Sequence, residues 1–249
     1  MPHRSNLGNE QAYAAVFAAL EKETGIDFKW VGSKTYDDVI KKIATNQADM
    51  GYVGPFAYVD VQNKVGVRIL CRTLSKKRTP FYNSMIVTRK DSGIHTLQDL
   101  KGRSFSFTDP KSTSGYLFPY AKLKKAGLQL KDFSKITYLK RHANSLLAVY
   151  NSHVDAGATA STAIDKADID FGQINILWKS DPIYRGPWIT RKNLPNELFF
   201  KIQQAMFKIS SPDKTSSIFN GLMTKAFVPA KDADYDSVRE IIQLMQLAK

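Results

Sequence analysis

The chain has 249 residues, 43% of them apolar, and a formal net charge of +13, which suits one large domain or two of roughly 100–150 residues. The positive charge invites a nucleic-acid partner, but the lysines and arginines are scattered in ones and twos, so we expect none. A single cysteine, Cys71, excludes an internal disulfide and a cysteine-based zinc site. No stretch approaches the roughly 18 apolar residues of a membrane span, and the first residues lack the apolar core of a signal peptide, so we expect a leader to be absent from this chain.

The first third of the chain alternates predicted helices and strands. Apolar residues spaced three and four apart predict helices ending before Gly25, over 37–44 and from Phe56. Short apolar runs predict strands at 28–31, 48–53, 67–71 and 84–88. This alternation indicates an α/β protein with largely parallel sheets.

The segment 97–177 repeats the alternation and is predicted to be a lobe of its own. Strands are predicted near 105, at 136–139, at 154–158 and at 174–178, with helices from Tyr116 and through Leu146. After Pro187 the pattern becomes helical, with no sheet of its own to cover. We therefore predict lobe 1 from 1–84 plus 186–249 and lobe 2 from 85–185, with two hinge crossings and a central cleft for a small ligand.

A hydroxyl-rich tract at 109–115, Asp-Pro-Lys-Ser-Thr-Ser-Gly, lies where a strand is followed by a helix. Ser112, Thr113 and Ser114 place side-chain hydroxyls beside the unpaired N–H groups of a helix start, which suits a small anion. The alternative is that one of these residues simply caps the helix. Local chemistry leaves both open.

Three further residues are candidates for the same site. His142 follows a predicted strand, at the edge where ligands bind in open α/β sheets, although it can equally be an ordinary surface histidine. Tyr82 lies at the first predicted crossing, where a phenol either faces the cleft or packs. Tyr36 precedes a helix and either reaches the cleft or staples that helix. No carboxylate pair, Ser-His-Asp order or metal-ligand spacing is present, so we expect no metal, no cofactor and no catalytic site.

Five motifs together resemble the phosphate, phosphite and phosphonate-binding proteins of ABC importers. They are Tyr36-Asp-Asp-Val-Ile40, Gln47-Ala-Asp-Met-Gly-Tyr-Val-Gly-Pro55, the tract continued to Tyr116, His142, and Val154-Asp-Ala-Gly-Ala158. The resemblance runs over nearly the whole chain, and its motifs are specific jointly rather than singly.

This resemblance implies a type II periplasmic-binding fold, in which two α/β lobes close on a ligand. It also implies that Ser112, Thr113 and Ser114 hold phosphoryl oxygens, with the first shell completed by Tyr36, Tyr82 and His142. The partners implied are a small oxyanion and the membrane permease of an ABC importer, and the location implied is periplasmic.

Two positions depart from relatives that take an aminoalkylphosphonate. Such relatives pair the ammonium with two carboxylates, and the matching positions here are Thr162 and Gly186. A buried ammonium without a carboxylate costs several kcal/mol. We therefore expect phosphate, phosphite or an alkylphosphonate without an amine.

Two other functions stay open from the sequence. Family members begin with a strand before the proline that matches Pro2, so this chain starts after that strand or lacks it, which also fits the extracytoplasmic sensing domain of a histidine kinase or other receptor. An enzyme on the same two-lobed fold is the second alternative. Its general acid or base would be His142 or Asp109.

Overall fold

A computed structural model describes residues 6–33, 35–211, 218–220 and 222–247. Seven α-helices are described within these ranges: α1 (Asn6–Thr24), α2 (Tyr36–Ala44), α3 (Pro55–Val65), α4 (Phe118–Lys125), α5 (His142–Tyr150), α6 (Asn196–Lys208) and α7 (Asp236–Leu247). The strands described are β1 (Met50–Tyr52), β2 (Val67–Leu74), β3 (Phe81–Tyr82), β4 (Ser84–Arg89), β5 (Ser104–Phe107), β6 (Lys135–Tyr138), β7 (Ala156–Ala160), β8 (Ile174–Lys179), β9 (Ile183–Tyr184), β10 (Pro187–Arg191) and β11 (Ala226–Val228).

The chain divides into two compact units. Unit 1 comprises Met1–Phe81 and Tyr184–Asp236, and unit 2 comprises Tyr82–Ile183 and Ser237–Lys249. The predicted lobes differ from these units most at the C-terminal end, since the prediction put 237–249 in lobe 1. The amphipathic spacing of α7 predicts that one face of this helix is buried, but it does not say which unit that face packs against.

Unit 1 is built on an antiparallel sheet with the strand order β1-β10-β2-β11. Its main core includes Val16 of α1, Leu70 of β2 and Met206 of α6, which are all buried. The prediction of largely parallel sheets is wrong here. An apolar run identifies a buried strand, but its direction depends on which strands become neighbours, and β10 enters this sheet between β1 and β2 from a distant part of the chain.

Unit 2 contains a mixed five-stranded sheet with the order β6-β5-β7-β4-β8. Strand β5 runs parallel to β6 and β7, whereas β4 runs antiparallel to β7 and β8. Fully buried Phe105 and Phe107 of β5 pack with Leu123 of α4 in one core cluster, and Leu146 and Val149 of α5 belong to a second. The predicted strands of this unit are present, and the helix predicted from Tyr116 begins with a turn at Thr113–Leu117.

Two other sequence-based assignments are wrong. The strand predicted at 28–31 is not a strand, because Phe28 and Trp30 stack on Phe17 and Tyr13 of α1 instead of joining a sheet. The region after residue 186, predicted to be helical, also contributes strands β10 and β11. These strands are short, and their pairing with β2 is made over a long sequence separation.

Candidate functional site

One edge of the unit 2 sheet collects the ends of all five strands. Because β5, β6 and β7 are parallel, their carboxyl ends lie at this edge. Strand β4 begins there, since Ser84 pairs with Ala160, and β8 ends there, since Lys179 pairs with Met85. In open α/β sheets, the carboxyl ends of strands are where ligands bind. We call this the hydroxyl edge, because serines and threonines follow or begin several of these strands.

The tract predicted to hold an anion lies at this edge, directly after β5. Thr113–Leu117 form a single π-helical turn that continues into α4, and the Leu117 N–H donates to the Ser112 carbonyl over 3.0 Å. The side chains of Ser112, Thr113 and Ser114 are buried, at 2%, 3% and 1% exposure. Single π turns inside helices occur frequently at functional sites.

Ser112 fills the capping role that the sequence left open. Its Oγ accepts a hydrogen bond from the Gly115 N–H over 3.1 Å. A hydroxyl that accepts in this way still has its own hydrogen to donate, and no described residue receives it. The Ser114 hydroxyl likewise has no hydrogen-bond partner within the described ranges. Two hydroxyl donors therefore remain at the start of this helix.

Asp109 shapes the entry to the tract. Its Oδ1 accepts from the Lys111 N–H over 2.8 Å, and its carbonyl accepts from the Ser112 N–H over 2.8 Å. This is an Asx turn, in which the side chain completes the backbone turn. The carboxylate is thus engaged in holding the loop.

His142 begins α5 at the same edge and is half-buried. Its carbonyl accepts from the Thr159 hydroxyl over 3.0 Å. Before it, Lys140 has a φ of 65° and donates its N–H to the Thr108 carbonyl over 2.7 Å. A residue with a side chain rarely adopts a positive φ, and such strain clusters at functional sites. These contacts hold the start of α5 to the ends of β5 and β7.

The two tyrosines lie on other elements than the tract and α5. Tyr82 is half-buried in β3 and precedes the hydroxyl edge by two positions. Tyr36 is the first residue of α2 in unit 1, is 5% exposed, and follows Thr35, whose hydroxyl accepts from the Asp38 N–H over 3.1 Å. The structure thus brings Ser112, Thr113, Ser114 and His142 to one sheet edge, whereas Tyr36 belongs to the other unit.

Several hydroxyls at this edge have no role in the sequence-based prediction. Ser84 donates to the Ser114 carbonyl over 2.8 Å, and the Ser84 N–H donates to Ser180 Oγ over 3.0 Å. Ser161 Oγ accepts from the Asn83 N–H over 3.0 Å. The one signal in the sequence is that each of these serines lies within about three residues of the start or end of a predicted strand.

Aromatic residues surround the tract on its C-terminal side. Tyr116 follows Gly115 and packs against Phe107, Tyr120 and Tyr138. Burial, with the neighbouring Tyr138 and Tyr120, raises the pKa of Tyr116 to about 12. This phenol is therefore neutral at physiological pH. Among the described residues, no group of three His, Cys, Asp or Glu side chains could hold a metal ion.

A model of one protein family, described as "ABC transporter, phosphonate, periplasmic substrate-binding protein", matches residues 1–235. The chain belongs to this phosphonate-binding family. The resemblance drawn from the five motifs is therefore confirmed. Members of the family are periplasmic, bind a small phosphonate-type ligand and work with the permease of an ABC importer. The family is one of substrate-binding transport proteins.

Individual relatives of this chain carry names that agree with its family. The phosphate-import protein PhnD of Mycolicibacterium smegmatis is 29% identical, over 97% of this chain and 83% of the relative. A binding protein component of an ABC phosphonate transporter from Pseudomonas aeruginosa superposes with a TM-score of 0.86 at 23% identity, over 98% of this chain and 84% of that one. PhnD1 of Prochlorococcus marinus, solved in complex with methylphosphonate, has a TM-score of 0.83 at 18% identity, over 99% and 96%. The α/β fold predicted for this binding-protein class is confirmed.

Among the helices of the described residues, none combines the length and the apolarity needed to cross a membrane.

Proposed function

We propose that this protein captures phosphate, phosphite or an alkylphosphonate without an amine at the hydroxyl tract and delivers it to the permease of an ABC importer. One observation carries the assignment of the site. The hydroxyls of Ser112 and Ser114 are buried at the start of a helix, and neither donates to any described residue. A tetrahedral oxyanion supplies the acceptors that two such donors need.

The binding mechanism uses neutral donors and the field of a helix start. The Ser112 and Ser114 hydroxyls donate to phosphoryl oxygens, the Thr113 hydroxyl is a third donor, and the N-terminal end of the helix favours negative charge. Hydrogen bonds to a charged acceptor contribute about 1.5–3 kcal/mol each. His142, from the neighbouring strand end, and Tyr36 and Tyr82 complete the proposed set of ligand contacts. The net charge of +13 attracts small anions over longer distances.

Gly186 supports a ligand without an amine. A Cβ atom built at Gly186 would lie 1.9 Å from the Val53 carbonyl oxygen and 3.0 Å from the Val53 carbonyl carbon. Both contacts are with backbone atoms, so no side chain can occupy this position without a shift of the chain. An acidic side chain that would pair with an ammonium is therefore incompatible with this packing, and Thr162, the other matching position, is neutral.

The two alternatives need separate tests. A receptor domain would use the same ligand site, so binding alone does not separate it from an importer component. An enzyme would need a general acid or base, for which His142 and Asp109 are the candidates, so a turnover assay separates an enzyme from a binding protein.

Calorimetry with a panel of anions tests the proposal. We expect phosphate, phosphite or methylphosphonate to bind more tightly than 2-aminoethylphosphonate, with no turnover of phosphate esters or phosphonates. Tighter binding of 2-aminoethylphosphonate than of the other three phosphorus compounds would contradict the ligand assignment. Turnover would favour the enzyme. Uptake of the bound anion by vesicles that carry the permease separates an importer component from a receptor.

A further inference from the structure

Ser84 is a fully buried residue whose hydroxyl contacts the tract directly. It begins β4 and is 0% exposed. Its Oγ donates to the Ser114 carbonyl over 2.8 Å. Ser84 and Ser114 are thirty positions apart, so this bond joins the tract to a different strand of the sheet.

The peptide group between Ser114 and Gly115 is held at both ends. Its carbonyl accepts from Ser84 Oγ, and its N–H donates to Ser112 Oγ over 3.1 Å. A peptide group is planar, so fixing the direction of the carbonyl also fixes the direction of the N–H. The Ser112 hydroxyl is in turn held by that N–H. The orientation of a proposed ligand donor thus depends on Ser84.

Ser84 is itself anchored to residues near two of the three places where the chain passes from one unit to the other. The first of these two passages follows Phe81, and the second follows Ile183. The Ser84 N–H donates to Ser180 Oγ over 3.0 Å, and Asn83 Nδ2 donates to the Ser180 carbonyl over 2.9 Å. Ser84, which holds the Ser114 carbonyl, is therefore joined by hydrogen bonds to Ser180, three positions before the passage at Ile183.

We propose that Ser84 is a positioning residue of the oxyanion site, which orients the Ser114–Gly115 peptide so that the Ser112 hydroxyl is directed at the ligand. This inference rests on the proposed function for its effect on affinity. Its effect on the turn itself does not depend on any ligand. If Ser84 only supplied a hydrogen bond to the buried Ser114 carbonyl, its loss would lower the stability of the protein without changing ligand affinity.

A double-mutant cycle on affinity separates these two roles. Calorimetry with inorganic phosphate and with methylphosphonate is performed on the parent, Ser84→Ala, Ser112→Ala and the double variant. We expect Ser84→Ala to weaken binding about tenfold, and the double variant to lose clearly less than the product of the two single losses, because both changes disable the same donor. Binding by Ser84→Ala within about twofold of the parent, or strictly multiplicative losses, overturns the proposal.

Ser104→Ala is the matched control. The Ser104 hydroxyl also makes a hydrogen bond within unit 2, to Asp155 Oδ2 over 2.6 Å, but at the opposite end of β5. We expect this variant to bind as tightly as the parent while losing a similar amount of thermal stability. If Ser84→Ala does not fold, Ser84→Cys replaces it, because a thiol of similar size is a weak donor.

Amide hydrogen exchange gives a reading without ligand. Loss of the Ser84 hydroxyl is expected to accelerate exchange of the Gly115 N–H, relative to Ser104→Ala and to the parent. Unchanged exchange at Gly115 overturns the positioning role. If the parent binds none of the phosphorus anions, the proposed function fails, and exchange at Gly115 alone then decides whether Ser84 orients the turn.

Discussion

Gly115 and Thr108 approach each other so closely that no side chain fits between them. A Cβ atom built at Gly115 would lie 1.8 Å from Thr108 Oγ1 and 2.7 Å from Thr108 Cβ. The Thr108 N–H also donates to the Gly115 carbonyl over 3.0 Å. The glycine that ends the hydroxyl tract is thus required by the packing of the turn on the end of β5.

Replacing Gly115 by alanine tests this contact. The new methyl group overlaps a fully buried threonine, so we expect the free energy of unfolding to fall by roughly 1–3 kcal/mol and phosphate affinity to fall with it. Denaturant unfolding and calorimetry measure the two quantities. Gly51→Ala is the control, because its Cβ would meet only flexible side chains, the nearest being Val39 Cγ1 at 3.4 Å. Equal stability of the two variants would contradict the account.

Ser112→Ala and Ser114→Ala should differ in stability although both lose affinity. Ser112 caps the turn through the Gly115 N–H, so its loss is expected to cost about 0.5–2 kcal/mol of stability in addition to ligand binding. The Ser114 hydroxyl bonds to no described residue, so its loss should weaken binding by roughly 1–3 kcal/mol and leave the melting temperature of the free protein nearly unchanged. Melting curves with and without phosphate measure both effects. A free-protein melting temperature that drops as far for Ser114→Ala as for Ser112→Ala would be inconsistent with this division of roles.

Gly186→Ala should be destabilising for a different reason from Gly115→Ala. The Val53 carbonyl oxygen that it would meet belongs to the backbone, which yields less readily than a side chain. We expect a loss of about 1–3 kcal/mol or more in denaturant unfolding.

Thr162→Glu, at the other matching position, should raise the affinity for 2-aminoethylphosphonate relative to methylphosphonate, because the new carboxylate can pair with the ammonium. An unchanged ratio would count against Thr162 as the position that faces an amine.

The half-buried Tyr116 should make the stability of the protein depend on pH in the alkaline range. Its pKa is raised from 10.0 to about 12 in the folded protein, first by burial and then by Tyr138 and Tyr120. The unfolded chain therefore loses this proton at lower pH than the folded chain. The associated stability is fully present below pH 10 and is lost as pH rises through about 12. Unfolding free energies measured across this range should fall less steeply for Tyr116→Phe than for the parent. Equal slopes would contradict the assignment, and the raised pKa of Tyr138 leaves some slope in both proteins.

The sequence predicts best those helices and strands whose buried residues recur at a regular spacing along the chain. Helix α2 buries Val39, Ile40 and Ile43 on one face, and the apolar run at β5 becomes a strand with buried phenylalanines. The failures are non-local. Phe28 and Trp30 cover α1 instead of joining a sheet, and the strands β10 and β11 acquire their structure from pairing with β2.

The sequence by itself determined the α/β class, the family and the local chemistry of the tract, because a helix start with hydroxyls before a glycine is encoded in adjacent residues. Only the tertiary structure decided that Ser112 is the cap, that Thr108 leaves no room at Gly115, and that Ser84 holds the Ser114 carbonyl. These contacts join residues from different strands and turns. Their geometry follows from strand order and register, which spacing along one chain does not specify.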